Sequence, residues 1–133
     1  MNNKFYSKKQ PVWAKNGVVA TSEGLASQAG LEILKMGGNA IDAAVATAAA
    51  LTVVEPTSNG IGSDCFALVY FNNKLHGLNS SGYSSRNISI EELNKRGFDK
   101  MPVGGIIPIT IPGTPKGWAK LIEEFENSWD ESI

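Results

Sequence analysis

Ala29-Gly30-Leu31-Glu32-Ile33-Leu34-Lys35-Met36-Gly37-Gly38-Asn39-Ala40-Ile41-Asp42-Ala43-Ala44-Val45-Ala46 decides the fold, because it reads as the end of one helix, a tight corner and the start of another. Leu25, Ala29, Ile33 and Met36 recur at helical spacing, and Glu23, Gln28, Glu32 and Lys35 take the more polar positions. Gly37-Gly38 stops that helix by supplying a left-handed residue that satisfies its last carbonyls, and Asn39 caps the next. The second helix runs from Ala40 to Val54 and carries six alanines after Ile41. Its polar residues Asp42, Thr47 and Thr52 share no face, which predicts a helix packed all round in a layered structure.

Outward from this pair, Gly17-Val18-Val19-Ala20 predicts a buried strand feeding directly into the first helix, with Ser22 as its N-cap. Downstream, Pro56 ends the second helix and a small-residue loop leads to Cys65. The run Cys65–Phe71 is large, aromatic or β-branched, and Asn72-Asn73 is turn chemistry before residues 74–79, so a β-hairpin is expected. Ser89 and Glu92 form a capping box for a short helix through Arg96, closed by Gly97. Residues 106–111 read as an edge or interrupted strand because Pro108 lies inside them. Thr114 and Pro115 start a last helix with Trp118, Leu121, Ile122 and Phe125 on its apolar stripe. The 133 residues match the size of one domain. The division expected is an arm over 1–16, a domain over 17–126 and a tail over 127–133.

Composition narrows the function. A formal net charge of -1 offers no basic field for nucleic acid or anionic lipid. The longest apolar stretch is interrupted and shorter than the roughly 20 residues of a membrane span. Residues 1–10 contain no apolar run of the secretory kind, so a cytoplasmic address is the expectation. With Cys65 alone, no internal disulfide and no cysteine-based zinc site can form. His76 is the single histidine, which removes a His-based metal pair within the chain; no cofactor is called for. Cys65 heads an apolar strand, where an inert buried thiol is the better reading than a nucleophile. No phosphate loop and no strand-Gly-x-Gly-x-x-Gly-helix unit is present, which disfavours nucleotide binding.

The loop Glu55-Pro56-Thr57-Ser58-Asn59-Gly60-Ile61-Gly62-Ser63-Asp64 is the candidate for chemistry. Gly60 and Gly62 permit positive φ and close approach, so main-chain N–H groups could face an anionic or carbonyl ligand; a tight structural connection is the alternative. Asp64 reads either as an acceptor at the mouth of a site or as a cap on local backbone donors. Ser80-Ser81-Gly82-Tyr83 offers hydroxyls but no base. Arg86 reads either as a carboxylate fork or as a solvated loop arginine.

Taken in order, these motifs resemble the start of the large subunit of gamma-glutamyltransferases (gamma-glutamyltranspeptidases). The resemblance runs over residues 17–125 and rests on three landmarks. They are Gly17-Val18-Val19-Ala20-Thr21-Ser22 with the opening run quoted above, then Glu55-Pro56, Ser58 and Gly60-Ile61-Gly62, then Pro112-Gly113 with Gly117-Trp118. It implies an α/β (α+β) fold, part of an N-terminal nucleophile hydrolase-type layered sandwich with helices packed on antiparallel strands. It also implies a precursor that cuts itself to expose a threonine at the head of a small subunit. That hydroxyl attacks a gamma-glutamyl amide such as glutathione, and water or an amine takes the acyl group. The large subunit then shapes the pocket, and Asn59, Gly60, Gly62, Ser63, Asp64, Ser81 and Arg86 are the substrate-facing positions it points to. No catalytic residue falls in this chain, which therefore reads as an inactive fragment whose partner is the remaining part or small subunit. Two departures stand out: Ser63 and Asp64 occupy positions where many members have Gly, and Ser81 stands where an arginine grips the substrate's α-carboxylate. Residues 64–83 look more like members related to acylases, so other amides are a second reading. A noncatalytic remnant or assembly piece is the reading from another class, and self-association is expected of a hairpin without neighbouring strands.

Overall fold

The computed structural model describes residues 10–126; residues 1–9 of the expected arm and the expected tail over 127–133 lie outside it. The elements in chain order are α1 (Gly24–Lys35), α2 (Ala40–Val54), β1 (Cys65–Phe71), β2 (Lys74–Ser80), α3 (Ile90–Lys95) and α4 (Thr114–Glu126). The fold is α+β, with a single two-stranded antiparallel sheet among the described residues.

α1 closes as the glycines predict. Gly37 takes φ +92°, its N–H donates to Leu34 O at 3.2 Å and the Gly38 N–H donates to Ile33 O at 3.0 Å, so the last carbonyls are satisfied at the corner. The start differs from expectation. Residues 17–20 form no strand, because the described chain offers them no strand to pair with. Glu23 rather than Ser22 is the N-cap and makes no side-chain cap bond. The Ser22 hydroxyl instead donates to the Glu55 carboxylate at 2.8 Å, tying the entry of α1 to the exit of α2.

Asn39 caps α2 in a complete box. Its side chain accepts from Ile41 N at 2.7 Å and Asp42 N at 3.0 Å, and the Asp42 carboxylate accepts from Asn39 N at 2.9 Å. α1 and α2 pack through small residues: a Cβ on Gly30 would overlap the Thr47 hydroxyl, and Ala26, Ala43 and Thr47 are buried. The expectation that α2 is packed all round is not met. Only Ala43 and Thr47 are buried on it, and Val53 is 77% exposed. Its alanine-rich remaining faces have no layer in this chain to pack on.

The β1–β2 turn places Asn72 at φ 49° and Asn73 at φ 57°, the left-handed pair that suits a two-residue hairpin loop. The register runs from Phe71 opposite Lys74 to Cys65 opposite Ser80, so β2 reaches one residue beyond the expected end. Burial alternates. The inner face rests on α4, where Phe71 and His76 meet the Phe125 ring edge-on at centroid distances of 6.0 and 5.3 Å. Phe66, Leu68, Tyr70 and Leu75 lie exposed on the outer face.

In α3 the Ser89 hydroxyl accepts from Glu92 N at 3.2 Å, but the Glu92 carboxylate turns to Arg96 at 2.7 Å instead of returning to the cap. The expected box is therefore half made, the carboxylate preferring a charged partner one turn on. Residues 106–111 form no strand. Only Ile111 behaves like an edge residue, donating its N–H to Tyr83 O at 2.9 Å.

Candidate functional site

The 55–64 loop is anchored at its start by Glu55. The Glu55 carbonyl accepts from Ser58 N at 3.2 Å and Asn59 N at 3.1 Å, while the Asn59 amide donates to the Glu55 carboxylate at 2.8 Å. Asn59 is thus engaged inside the loop. Gly60 and Gly62 do not take the positive φ that the sequence reading allowed them. A Cβ on Gly62 would meet nothing within 4 Å, and one on Gly60 would only touch Gly62 N at 4.0 Å. Among the described residues, no hydrogen bond is donated by the N–H of Gly60, Ile61 or Gly62. This leaves three consecutive main-chain donors available on a half-open loop, an arrangement able to face a carbonyl or an anion.

The loop's other end is fixed by residues from the far side of the sequence. Ser63 O sits at the start of α4 and accepts from Gly113 N at 3.2 Å, Thr114 N at 3.1 Å and the Thr114 hydroxyl at 2.7 Å. The Ser80 hydroxyl, at the end of β2, donates to Gly113 O at 2.7 Å. The backbones touch here: a Cβ on Gly113 would collide with Ser80 O, and one on Gly82, at φ +77°, would collide with Ile111 O. The Asp64 carboxylate accepts from the Thr110 hydroxyl at 3.2 Å, a link to the same segment rather than a cap on local backbone.

Residues 110–114 therefore bring Ser63, Asp64 and the Ser80–Gly82 corner together. Ser81 is half-buried, its N–H donates to Asn79 Oδ1 at 3.1 Å, and it lines a groove of about 620 Å³ against α4. Arg86 is not gathered in: it lies exposed in a turn and makes no ion pair among the described residues. Gly113 and Thr114 are the positions whose bridging role sequence reading did not assign. Their signal was the Pro112-Gly113 landmark itself, whose close packing only the fold reveals.

Other groups fall outside the site. The Cys65 thiol packs close to Gly117, and burial pushes its pKa up, which disfavours the thiolate. A larger groove of about 810 Å³ runs between residues 16–21 and the α1–α2 pair, and none of the predicted site residues lines it. Its walls are mainly alanine, valine and leucine, so packing surface describes it better than chemistry. Among the described residues no cluster of His, Cys, Asp or Glu is arranged for a metal, and no helix is long and apolar enough to cross a membrane.

Comparison with known proteins gives this geometry a family. The sequence pattern described as "Gamma-glutamyltranspeptidase" matches residues 26–131. The chain is 39% identical over 111 residues to a "Glutathione hydrolase-like YwrD proenzyme" from Bacillus subtilis, covering 81% of this chain and 21% of that protein. Among solved structures it is similar to a cephalosporin acylase from Bacillus halodurans, with 52% identity and a TM-score of 0.74 over 90% of this chain and 24% of the other. It is likewise similar to the Helicobacter pylori gamma-glutamyltranspeptidase, with 32% identity and a TM-score of 0.77 over 86% of this chain and 34% of the other. The chain thus spans about a fifth to a third of the length of these relatives. The predicted order of landmarks, the α+β architecture and the relatives agree, and the chain belongs to the gamma-glutamyltranspeptidase family.

Proposed function

We propose that this chain forms the substrate-shaping front of an enzyme that hydrolyses or transfers the acyl group of gamma-glutamyl amides such as glutathione. The nucleophile, a threonine hydroxyl activated by its own amino group, comes from polypeptide other than these residues. The observation that carries this reading is the row of unengaged N–H groups at Gly60, Ile61 and Gly62, on the loop whose end, Ser63, is tied through Gly113 to Ser80. Such donors, fixed before substrate arrives, suit a carbonyl oxygen that gains negative charge during acyl transfer. Asp64 and Ser63 contribute to the rim, Asn59 stiffens the loop through Glu55, and Arg86 stays peripheral.

A second reading, an acylase acting on amides without a glutamyl α-amino group, has its own support. The cephalosporin acylase structure shares 52% identity with this chain. Co-folding this chain with the complementary part of that acylase, then comparing gamma-glutamyl and glutaryl 4-nitroanilides, separates the two. Preference for the gamma-glutamyl compound supports the first reading, preference for the glutaryl compound the second. A stable assembly that turns over neither would refute both and favour a noncatalytic assembly piece.

A further inference from the structure

The Gly60–Gly62 donors hang between two anchors, and the front anchor is a single carboxylate. Glu55 closes the last turn of α2 by donating its N–H to Leu51 O at 2.9 Å, so its side chain leaves from a fixed point on the helix. One oxygen of that side chain, Oε2, accepts from two directions: from the Ser22 hydroxyl at 2.8 Å and from the Asn59 amide at 2.8 Å. Among the described residues no cation pairs with Glu55, so these two donors are what its charge holds. Hydrogen bonds to an ionised acceptor are about twice as strong as neutral ones. Pro56 has no N–H to donate and ends the helix whatever the side chains do, so the carboxylate bonds constrain the loop beyond what stopping α2 requires. At the rear, Gly60 O accepts from Ser63 N at 3.2 Å and from the Ser63 hydroxyl, and Ser63 is itself bonded to Thr114. Only three residues separate Asn59 from Ser63, and two of them are glycines, whose backbone has little preference of its own.

We infer that Glu55 is the positioning residue of the Gly60–Gly62 donor row, gripping Asn59 on the loop side and Ser22 on the α1 side so that the row keeps one setting for acyl transfer. The inference rests on the proposed function for the claim that the row faces the reacting carbonyl. Glu55 touches no substrate in this scheme; it acts through Asn59. With the front anchor released, Gly60 and Gly62 let the row sample many settings, and donors that must reorganise during reaction stabilise developing charge less. The Ser22 arm adds a second consequence. The chain entering α1 and the loop leaving α2 share one carboxylate oxygen, so a disturbance of either reaches the other.

Exchanging donor and acceptor tests this. Asn59→Asp sets two acceptor-only carboxylates against each other and opens the front anchor, and adding Glu55→Gln restores the bond in reverse, amide donating to carboxylate. In NMR spectra of the nitrogen-labelled chain, Asn59→Asp moves the amide resonances of Gly60, Ile61 and Gly62 while those of the hairpin and α3 stay, and the double substitution returns them. In the enzyme assembled with the complementary acylase part, Asn59→Asp lowers kcat at least about tenfold with KM within about twofold, and the double substitution regains most of the loss. Glu55→Gln alone keeps an acceptor for both donors and stays within about threefold of the parent. Thr57→Ala, at an exposed side chain of the same loop that bonds nothing among the described residues, stays within about twofold. Unmoved loop resonances, changes spread over the whole spectrum, no return in the double substitution, or an active enzyme whose kcat ignores Asn59→Asp would each overturn the inference. If the assembly turns over no amide, the proposed function fails, and the resonances of the chain alone still decide whether Glu55 sets the row.

Discussion

Two classes of glycine carry opposite consequences. Gly82 and Gly113 are required by this chain's own backbone, because a side chain at either would collide with a carbonyl oxygen on the facing segment. Gly82→Ala should cost about 2 kcal/mol or more, since it adds a left-handed φ penalty to that collision. Chemical denaturation measures it. Gly62 is the reverse case: nothing in the chain touches its position. Gly62→Ala should therefore leave stability within about 0.5 kcal/mol of the parent, yet lower the kcat/KM of the assembled enzyme at least about tenfold if the loop lies against substrate. Unchanged turnover would remove the loop from the site. Cys65 gives a pH prediction of definite sign. Its folded pKa lies above its unfolded one, so the unfolded chain loses the proton first and stability falls as pH rises through the ordinary thiol range. Iodoacetamide should correspondingly react with Cys65 more slowly than with the unfolded chain at pH 8, the ratio being the check.

At the scale of elements, legibility followed the reach of the deciding interactions. The Gly37-Gly38 stop, the Asn39 cap and the Asn72-Asn73 turn depend on bonds within a few residues, so the sequence sufficed to place them. Asn39→Ala should cost about 1 kcal/mol by removing the side-chain half of the box, readable as a lower Tm. Residues 17–20 and 106–111 were misread as strands because strand identity requires a neighbour, and the described residues provide none. The same cause left α2 half-exposed where its composition called for burial on every side. Within the candidate site, the glycine loop and Ser81 were legible as residue types. The bonds joining Ser63 to Gly113 and Thr114, across some fifty positions of sequence, were not, because no local pattern encodes them.

At the scale of the whole molecule, apolar surface stays open among the described residues: the outer face of the hairpin, the groove beside residues 16–21 and the free sides of α2. Large apolar patches of this kind belong against another polypeptide. Sedimentation of the isolated chain should thus show concentration-dependent association, and a monodisperse monomer with a sharp cooperative transition would argue against it. Addition of the complementary family polypeptide should suppress that association by covering the same faces. The most direct measurement of the account is amide turnover by this chain alone and after assembly with the complementary part of the Bacillus halodurans acylase, using gamma-glutamyl and glutaryl 4-nitroanilides. The account predicts no turnover by the chain alone and turnover on assembly, whereas activity of the isolated chain, or a well-formed assembly inert toward both compounds, would contradict it.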